Sequence, residues 1–475
     1  MKLFKLRLTT LKSKLYAIVF ASFVVRVVAF FALPNSGSNL ARDEIGYAEL
    51  TKIVADGLPV DESGYGSRLY LISRSLIVPA ALLVRLDVSG IDSVRIVASV
   101  YGLLTLFLAV YLLLKLNDSR QEVSSFVSKN QKSLVTLVTI FALLPSHLIW
   151  SVLGLREAAM EFWVVAVFIF VFYVFEVKKS PSKLTSLGLF IAIPLVFSSR
   201  PQVGWVVGVT LLTYFLIKVK VRASQILIPI TLIGIVSGYV ATTAFSIERT
   251  QIFEAHVKVI DTGPSPTATT QAEFTASVDC KTEAQEIIVE GVKYLCEKKV
   301  EKKSLIGLKN PGAVLVDQAD AIPVRNENNK VGAASVIQTL SCPFTGESRF
   351  DKYTCIAYRA PHTTYTFLFR PMLGADVTSS SSLAAAIENV FWLVSFLFVM
   401  IMFIPNRRLA FFSALVPSLI FFSIYTVAAG ASEGNMGTAF RHKSLILWVV
   451  VLLLASTIVA TQQRKAEQQG ISGSS

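Results

Sequence analysis

Charge is scarce in this sequence. Only 16% of its 475 residues are Asp, Glu, Lys or Arg, whereas 53% are hydrophobic; soluble proteins carry about 25% charged residues. The deficit is concentrated in long apolar runs, which excludes an ordinary soluble chain and describes one embedded in a membrane. Cysteine is almost absent too. The four cysteines, Cys280, Cys296, Cys342 and Cys355, all fall in one polar stretch, and there is no CxxC spacing. His362 is the one histidine near them, so disulfides are expected rather than a zinc site. Also missing is any stripe of Lys and Arg interleaved with aromatics. The formal charge of +13 sits in short clusters between apolar runs, which argues for membrane orientation and against a nucleic-acid partner.

About 20 apolar residues cross a bilayer, and ten runs qualify as candidate spans. They are 15–32, 92–114, 133–153, 158–177, 184–198, 203–219, 225–245, 383–404, 409–430 and 444–461. Pro194 predicts a kink in the fifth. The run 69–86 is interrupted by Arg74 and Arg85 and reads as an amphipathic helix at the interface. Positive-inside counting then fixes the sense. Basic clusters at Lys2 to Lys14, Lys115 to Lys132, Lys178 to Lys183, Lys218 to Arg222, Arg407–Arg408 and Arg464–Lys465 all fall on one side if there are ten spans. The first run contains Arg26, and no small-residue cleavage site follows it, so it is expected to stay as a span. The expected protein is an all-α polytopic plasma-membrane protein with both termini cytoplasmic.

Four segments follow from that count. Residues 1–246 form an N-terminal membrane module of about seven spans, with an external loop at 33–91. Residues 247–382 form an extracytoplasmic insert, 383–463 a C-terminal module of three spans, and 464–475 a cytoplasmic tail. The insert holds all four cysteines, as an oxidising compartment permits. Two bridges are expected, and Cys280–Cys296 with Cys342–Cys355 is the simplest of three connectivities. A mobile linker is expected at 261–270 and a short helix within 272–300.

The outer side is unusually rich in charge. Arg42, Asp43 and Glu44 follow the first span; Arg68, Arg74 and Arg95 precede or open the second; Arg156 and Glu157 follow the third. Arg200 ends the fifth, Arg370 precedes the eighth, and Glu433, Arg441 and His442 lie between the last two. Singly, such arginines snorkel or pair with neighbouring acids, and Asp43 or Glu44 is an ordinary start for a helix from Tyr47. Together they describe a basic pocket beside carboxylates. Arginine forks match phosphate oxygens, and a nearby carboxylate can take a proton from an acceptor hydroxyl. Two adjacent acids diverge, so one would reach a reacting centre while the other binds a cation, caps a helix or orients a neighbour.

These residues, in this order and on this side, resemble the GT-C superfamily of multispanning transferases fed by polyprenyl-phosphate or -diphosphate sugars. The closest likeness is to its protein mannosyltransferase and aminoarabinose transferase branch. Asp43, Glu44 and Tyr47 stand where that family opens its first external loop with an acidic pair. Arg26 matches an arginine of the first span and 69–86 an amphipathic helix, while Asp92 to Ile96 matches a polar-Arg start to the second span. Pro145 to Ser151, then Gly154 to Glu157, resemble the Pro-containing third helix, turn and acid; Arg200-Pro201 resembles the end of the fifth span. The likeness covers about residues 12–220 and thins beyond 247. Phe369-Arg370-Pro371 and Glu433 to His442 are similar to stretches of bacterial polysaccharide-locus proteins.

The resemblance implies a glycosyltransferase with Asp43 as general base or cation ligand and Glu44 as its helper. It implies Arg156, Arg200, Arg441 and Arg95 around the donor phosphate, with Tyr47, Glu157, His442 and Arg370 in support. Its partners would be a polyprenyl-linked sugar donor and a glycan, lipid or protein acceptor. Some relatives use magnesium or manganese, which Asp43 and Glu44 would hold here. Two alternatives stay open: an O-antigen-type polymerase or ligase, which relies on external arginines and a histidine, and a transporter or flippase of lipid-linked glycans. The latter would place charge at the midplane and repeat its halves; no repeated half is visible.

Overall fold

The computed structural model describes residues 10–35, 43–58, 60, 69–70, 73–117, 131–178, 182–243, 286–289, 292–295, 349–374, 377, 380–403, 415–432 and 439–454. They fall into two units. The first takes in Met1–Thr243 and Asn310–Ser475, the second Ala244–Lys309.

In the first unit every described element is a helix. In chain order they are α1 (Leu11–Ala32), α2 (Asp43–Ala55), α3 (Arg74–Val84), α4 (Gly90–Asn117), α5 (Gln131–Leu143), α6 (Pro145–Val152) and α7 (Arg156–Phe172), which runs on into a π turn at Tyr173–Lys178. Then come α8 (Lys183–Ser199), α9 (Pro201–Ile217), α10 (Arg222–Thr243), α11 (Arg349–Phe369), α12 (Ser380–Phe403), α13 (Leu415–Ser432) and a last helix, α14, over 439–454. Local chemistry sets many of the ends. Thr10 with Ser13 and Ser182 with Thr185 form capping boxes at α1 and α8, each satisfying backbone N–H groups that a helix start leaves open.

This is a helical membrane protein. Among the described residues, five helical stretches are long and apolar enough to cross a bilayer: Leu11–Ala32, Gly90–Tyr111, Arg156–Phe175, Arg222–Val240 and Leu383–Ile401. The third expected span is a bent pair, α5 and α6, meeting at 42°. Leu144 between them is extended, at φ −56° and ψ 128°, because the ring of Pro145 disfavours helical geometry in the residue before it. Expected spans five, six and nine form shorter helices, α8, α9 and the 16-residue stretch Val416–Ala431 within α13. Helix α8 continues through Pro194.

Two apolar cores hold the unit together. The larger lies among α5 and α7 to α14, where Phe168, Phe421 and Trp448 pack as a tilted aromatic group. The smaller joins α2, α3 and the start of α4 to Leu153 and Leu155 through Tyr47, Leu50, Leu76, Ile77 and Val94. The 69–86 run contributes α3 to this second core, with Leu76, Ile77 and Ala80 fully buried.

The 247–382 stretch divides differently from the expectation. Its C-terminal part forms the 21-residue helix α11, which belongs to the first unit. Thr363, Thr366 and Phe367 are buried, and the backbones of α11 and α13 come so close that a Cβ on Gly430 would lie 2.9 Å from the Thr363 carbonyl oxygen. Cys355, on α11, is disulfide-bonded; Cys280, Cys296 and Cys342 lie outside the described residues, as does the 261–270 linker.

In the second unit, the described part of the 272–300 segment is a strand pair; the rest of that segment, where a short helix is expected, lies outside the described residues. Strands β1 (Glu286–Val289) and β2 (Val292–Leu295) pair antiparallel, with Glu286 opposite Leu295 and Val289 opposite Val292. The β-branched and aromatic residues Ile287, Ile288, Val289, Val292 and Tyr294 favour strands.

Candidate functional site

The acids that open α2 part company at once. Successive residues of a helix point about 100° apart. The Asp43 side chain is therefore 54% exposed and accepts Arg441 Nη1 at 2.8 Å. Glu44 turns inward with no exposed side-chain surface. Its Oε1 takes Arg95 Nε at 2.6 Å and its Oε2 takes Arg95 Nη2 at 2.9 Å. A third bond runs from Arg95 Nη2 to the Pro34 carbonyl at 3.0 Å. Two of the residues expected at the reacting centre, Glu44 as helper and Arg95 as phosphate ligand, form this buried bidentate pair instead. It joins α2 to α4 and lies beside Gly154, where a Cβ would meet Glu44 Oε1 at 3.2 Å.

Asp43 instead shares its surroundings with charges from α7, α14 and the junction of α8 and α9. Glu157, in the first turn of α7, is buried within electrostatic reach of Arg441, Arg156 and His442. Its Oε1 lies 3.8 Å from His442 Nε2. Its Oε2 is enclosed without a hydrogen-bond partner. Arg200, at the junction of α8 and α9, lies against the His442 ring, with Nη1 3.1 Å from Nδ1. Tyr425 of α13 donates to the His442 carbonyl at 3.2 Å. Tyr47, one turn into α2, is buried beside Arg156, Glu157 and Asp43; burial, the largest influence, pushes its phenol from the ordinary 10 up to about 12. It is a neutral hydrogen-bonding group at physiological pH.

Asp43, Arg156 and Pro201 each begin a helix. Three N-termini thus bring unpaired backbone N–H groups and positive dipole ends to the neighbourhood of Arg156, Arg200 and Arg441, the setting in which anions bind. The basic residues Lys115, Lys178 and Lys218 stand at the other ends of α4, of the π turn after α7 and of α9. A 17-residue helix separates such ends by about 25 Å.

Arg370 enters through its backbone, whose carbonyl accepts Lys443 Nζ at 2.6 Å. Arg42, Arg68 and Glu433 lie outside the described residues. Asp43 and Glu44 do not fit a cation site: they diverge, each is held by an arginine, and no group of three or more His, Cys, Asp or Glu gathers among the described residues.

Sequence reasoning missed a buried polar layer. Arg26 of α1 donates to Ser151 Oγ at 3.0 Å and bonds Ser22 Oγ; His147 Nδ1 lies 3.0 Å from Glu161 Oε1, its ring stacked on Phe141. On α12, Glu388 accepts Ser146 N at 2.8 Å and Trp392 Nε1 at 3.0 Å. The signal was present in the sequence: Glu161 and Glu388 are lone acids inside apolar runs, where a charge is costly and needs a partner.

Comparison with known proteins adds no assignment. No family model, curated protein or solved structure matches this chain. The chemistry must be argued from its own residues.

Proposed function

We propose that this chain is a membrane glycosyltransferase that moves a sugar from a polyprenyl-phosphate or -diphosphate donor to a glycan, lipid or protein acceptor on the extracytoplasmic face. About ten spans and a disulfide-bearing outer insert complete this reading. The observation that carries it is the exposed Asp43 carboxylate 2.8 Å from Arg441, with Arg156, Arg200 and three helix starts around them. The donor phosphate takes Arg441 as a ligand and frees Asp43. Asp43 then accepts the proton of the acceptor hydroxyl as that oxygen bonds to the anomeric carbon. The bond from that carbon to the phosphate oxygen breaks, its electron pair stays on the phosphate, and the arginines stabilise the growing charge. Glu157 keeps the arginines apart and oriented, and Tyr47 adds a neutral donor beside them.

The test is Asp43→Asn in membranes supplied with radiolabelled polyprenyl-linked sugars. Turnover should fall about 100- to 10,000-fold with donor binding retained, the range that removing a general base produces. Parental turnover in that variant removes Asp43 from the mechanism.

The grouping of His442 between Arg200 and Glu157 favours a second reading, a polysaccharide polymerase or ligase in which a histidine takes the proton. There His442→Ala would abolish product while Asp43→Asn would leave it. The transferase reading expects the reverse order of severity.

A further inference from the structure

We propose that Lys443 is a positioning residue: its buried ammonium pins the turn of α14 at 441–443 so that Arg441 and His442 meet Asp43, Glu157 and Arg200. This rests on the reading of that cluster as the reacting site. It is 2% exposed, and its Nζ donates to the Arg370 carbonyl at 2.6 Å and to Asn389 Oδ1 at 2.8 Å. Asn389 Nδ2 in turn donates to the Pro371 carbonyl at 2.9 Å. The two side chains thus clasp both carbonyls of the Arg370–Pro371 junction that follows α11. Glu388, the neighbour of Asn389 on α12, lies within electrostatic reach of the ammonium. Its own oxygens accept Ser146 N at 2.8 Å and Ser146 Oγ at 2.5 Å, at the start of α6, where the third span breaks.

Three physical points make this more than a fold staple. An ammonium buried among apolar helices costs several kcal/mol before its partners compensate it. An apolar side chain in that place would pack without that cost, so stability alone does not account for a lysine there. Arg441 and His442 also share a helical turn with Lys443, so whatever fixes that turn fixes both. Finally, Lys443 stands about 200° around the helix from Arg441. One side of the turn is held by α11 and α12, which leaves the other free to present its guanidinium to Asp43.

The experiment uses the full chain in detergent. Lys443→Met alone strands Glu388, so the informative variant is Lys443→Met with Glu388→Gln, which leaves no unpaired buried charge. Geometry is read by adding Asp43→Cys and Arg441→Cys and measuring cross-linking with a short bis-methanethiosulfonate reagent. With Lys443 present the pair should cross-link efficiently; in the charge-free double variant, melting as the parent does, cross-linking should fall to background. With Asp43 and Arg441 intact, that double variant should lose about 100-fold in kcat, the cost of misplacing a group by about an ångström, with acceptor KM unchanged. A folded double variant that cross-links like the parent overturns the proposal. If it does not fold, Asn389→Ala removes one arm of the clasp without stranding a charge; reduced cross-linking supports the assignment and parental cross-linking refutes it. A parent inactive toward every polyprenyl-linked sugar sinks the transferase reading, while the cross-linking still decides the role of Lys443.

Discussion

Replacing Glu44 with alanine strands a guanidinium where water does not reach. Arg95 is 1% exposed and Glu44 0%, so solvent screening gives no relief. Arg95 would keep its bond to the Pro34 carbonyl and lose both bonds to the carboxylate. Removing one member of a buried pair costs about 3–5 kcal/mol, mostly because the remaining charge is uncompensated. Arg95→Met alone should cost a similar amount. Glu44→Gln with Arg95→Met removes both charges and should recover most of the loss, giving a coupling energy of about 3 kcal/mol in the double-mutant cycle. Unfolding in mixed micelles of rising dodecyl sulfate, followed by tryptophan fluorescence, measures all four proteins. Turnover should track stability across the set, because the pair borders the Gly154 turn that leads into Arg156. If Glu44→Ala unfolds as the parent does while turnover is lost, Glu44 acts as a chemical group and the structural assignment fails.

Two further outcomes follow from close packing and burial. A Cβ on Gly154 would sit 2.6 Å from Val94 Cγ2, against a fully buried side chain, so Gly154→Ala should destabilise by about 1–3 kcal/mol in the same unfolding assay; parental stability would mean that the turn moves freely. The Tyr47 phenol is raised in the folded state, so its contribution is whole below its unfolded value of 10 and is lost as pH rises from there through about 12. That amounts to about 2–3 kcal/mol. Stability should therefore fall over this alkaline window in the parent and less in Tyr47→Phe; identical profiles would refute the assignment.

Much of the membrane body was legible in the amino-acid order. Apolar runs become helices because a bilayer offers backbone groups no other partner, and Pro145 announces its own break by constraining Leu144. The clustered charges were legible as a set, since Arg156, Arg200 and Arg441 each stand beside a proline, an acid or a helix start. What the order could not settle was which of two adjacent acids faces outward. Asp43 and Glu44 have the same chemistry and differ by one step of a helix, and that step sends one to Arg441, almost 400 residues away in sequence, and the other to Arg95. The same limit hid the clasp of Lys443 and Asn389 and the packing of α11 on α13. Partners in those contacts come from distant helices, and composition and periodicity carry information only about near neighbours. Local sequence decides where a helix starts and which residues it carries; the close packing of helices decides which of those residues meet.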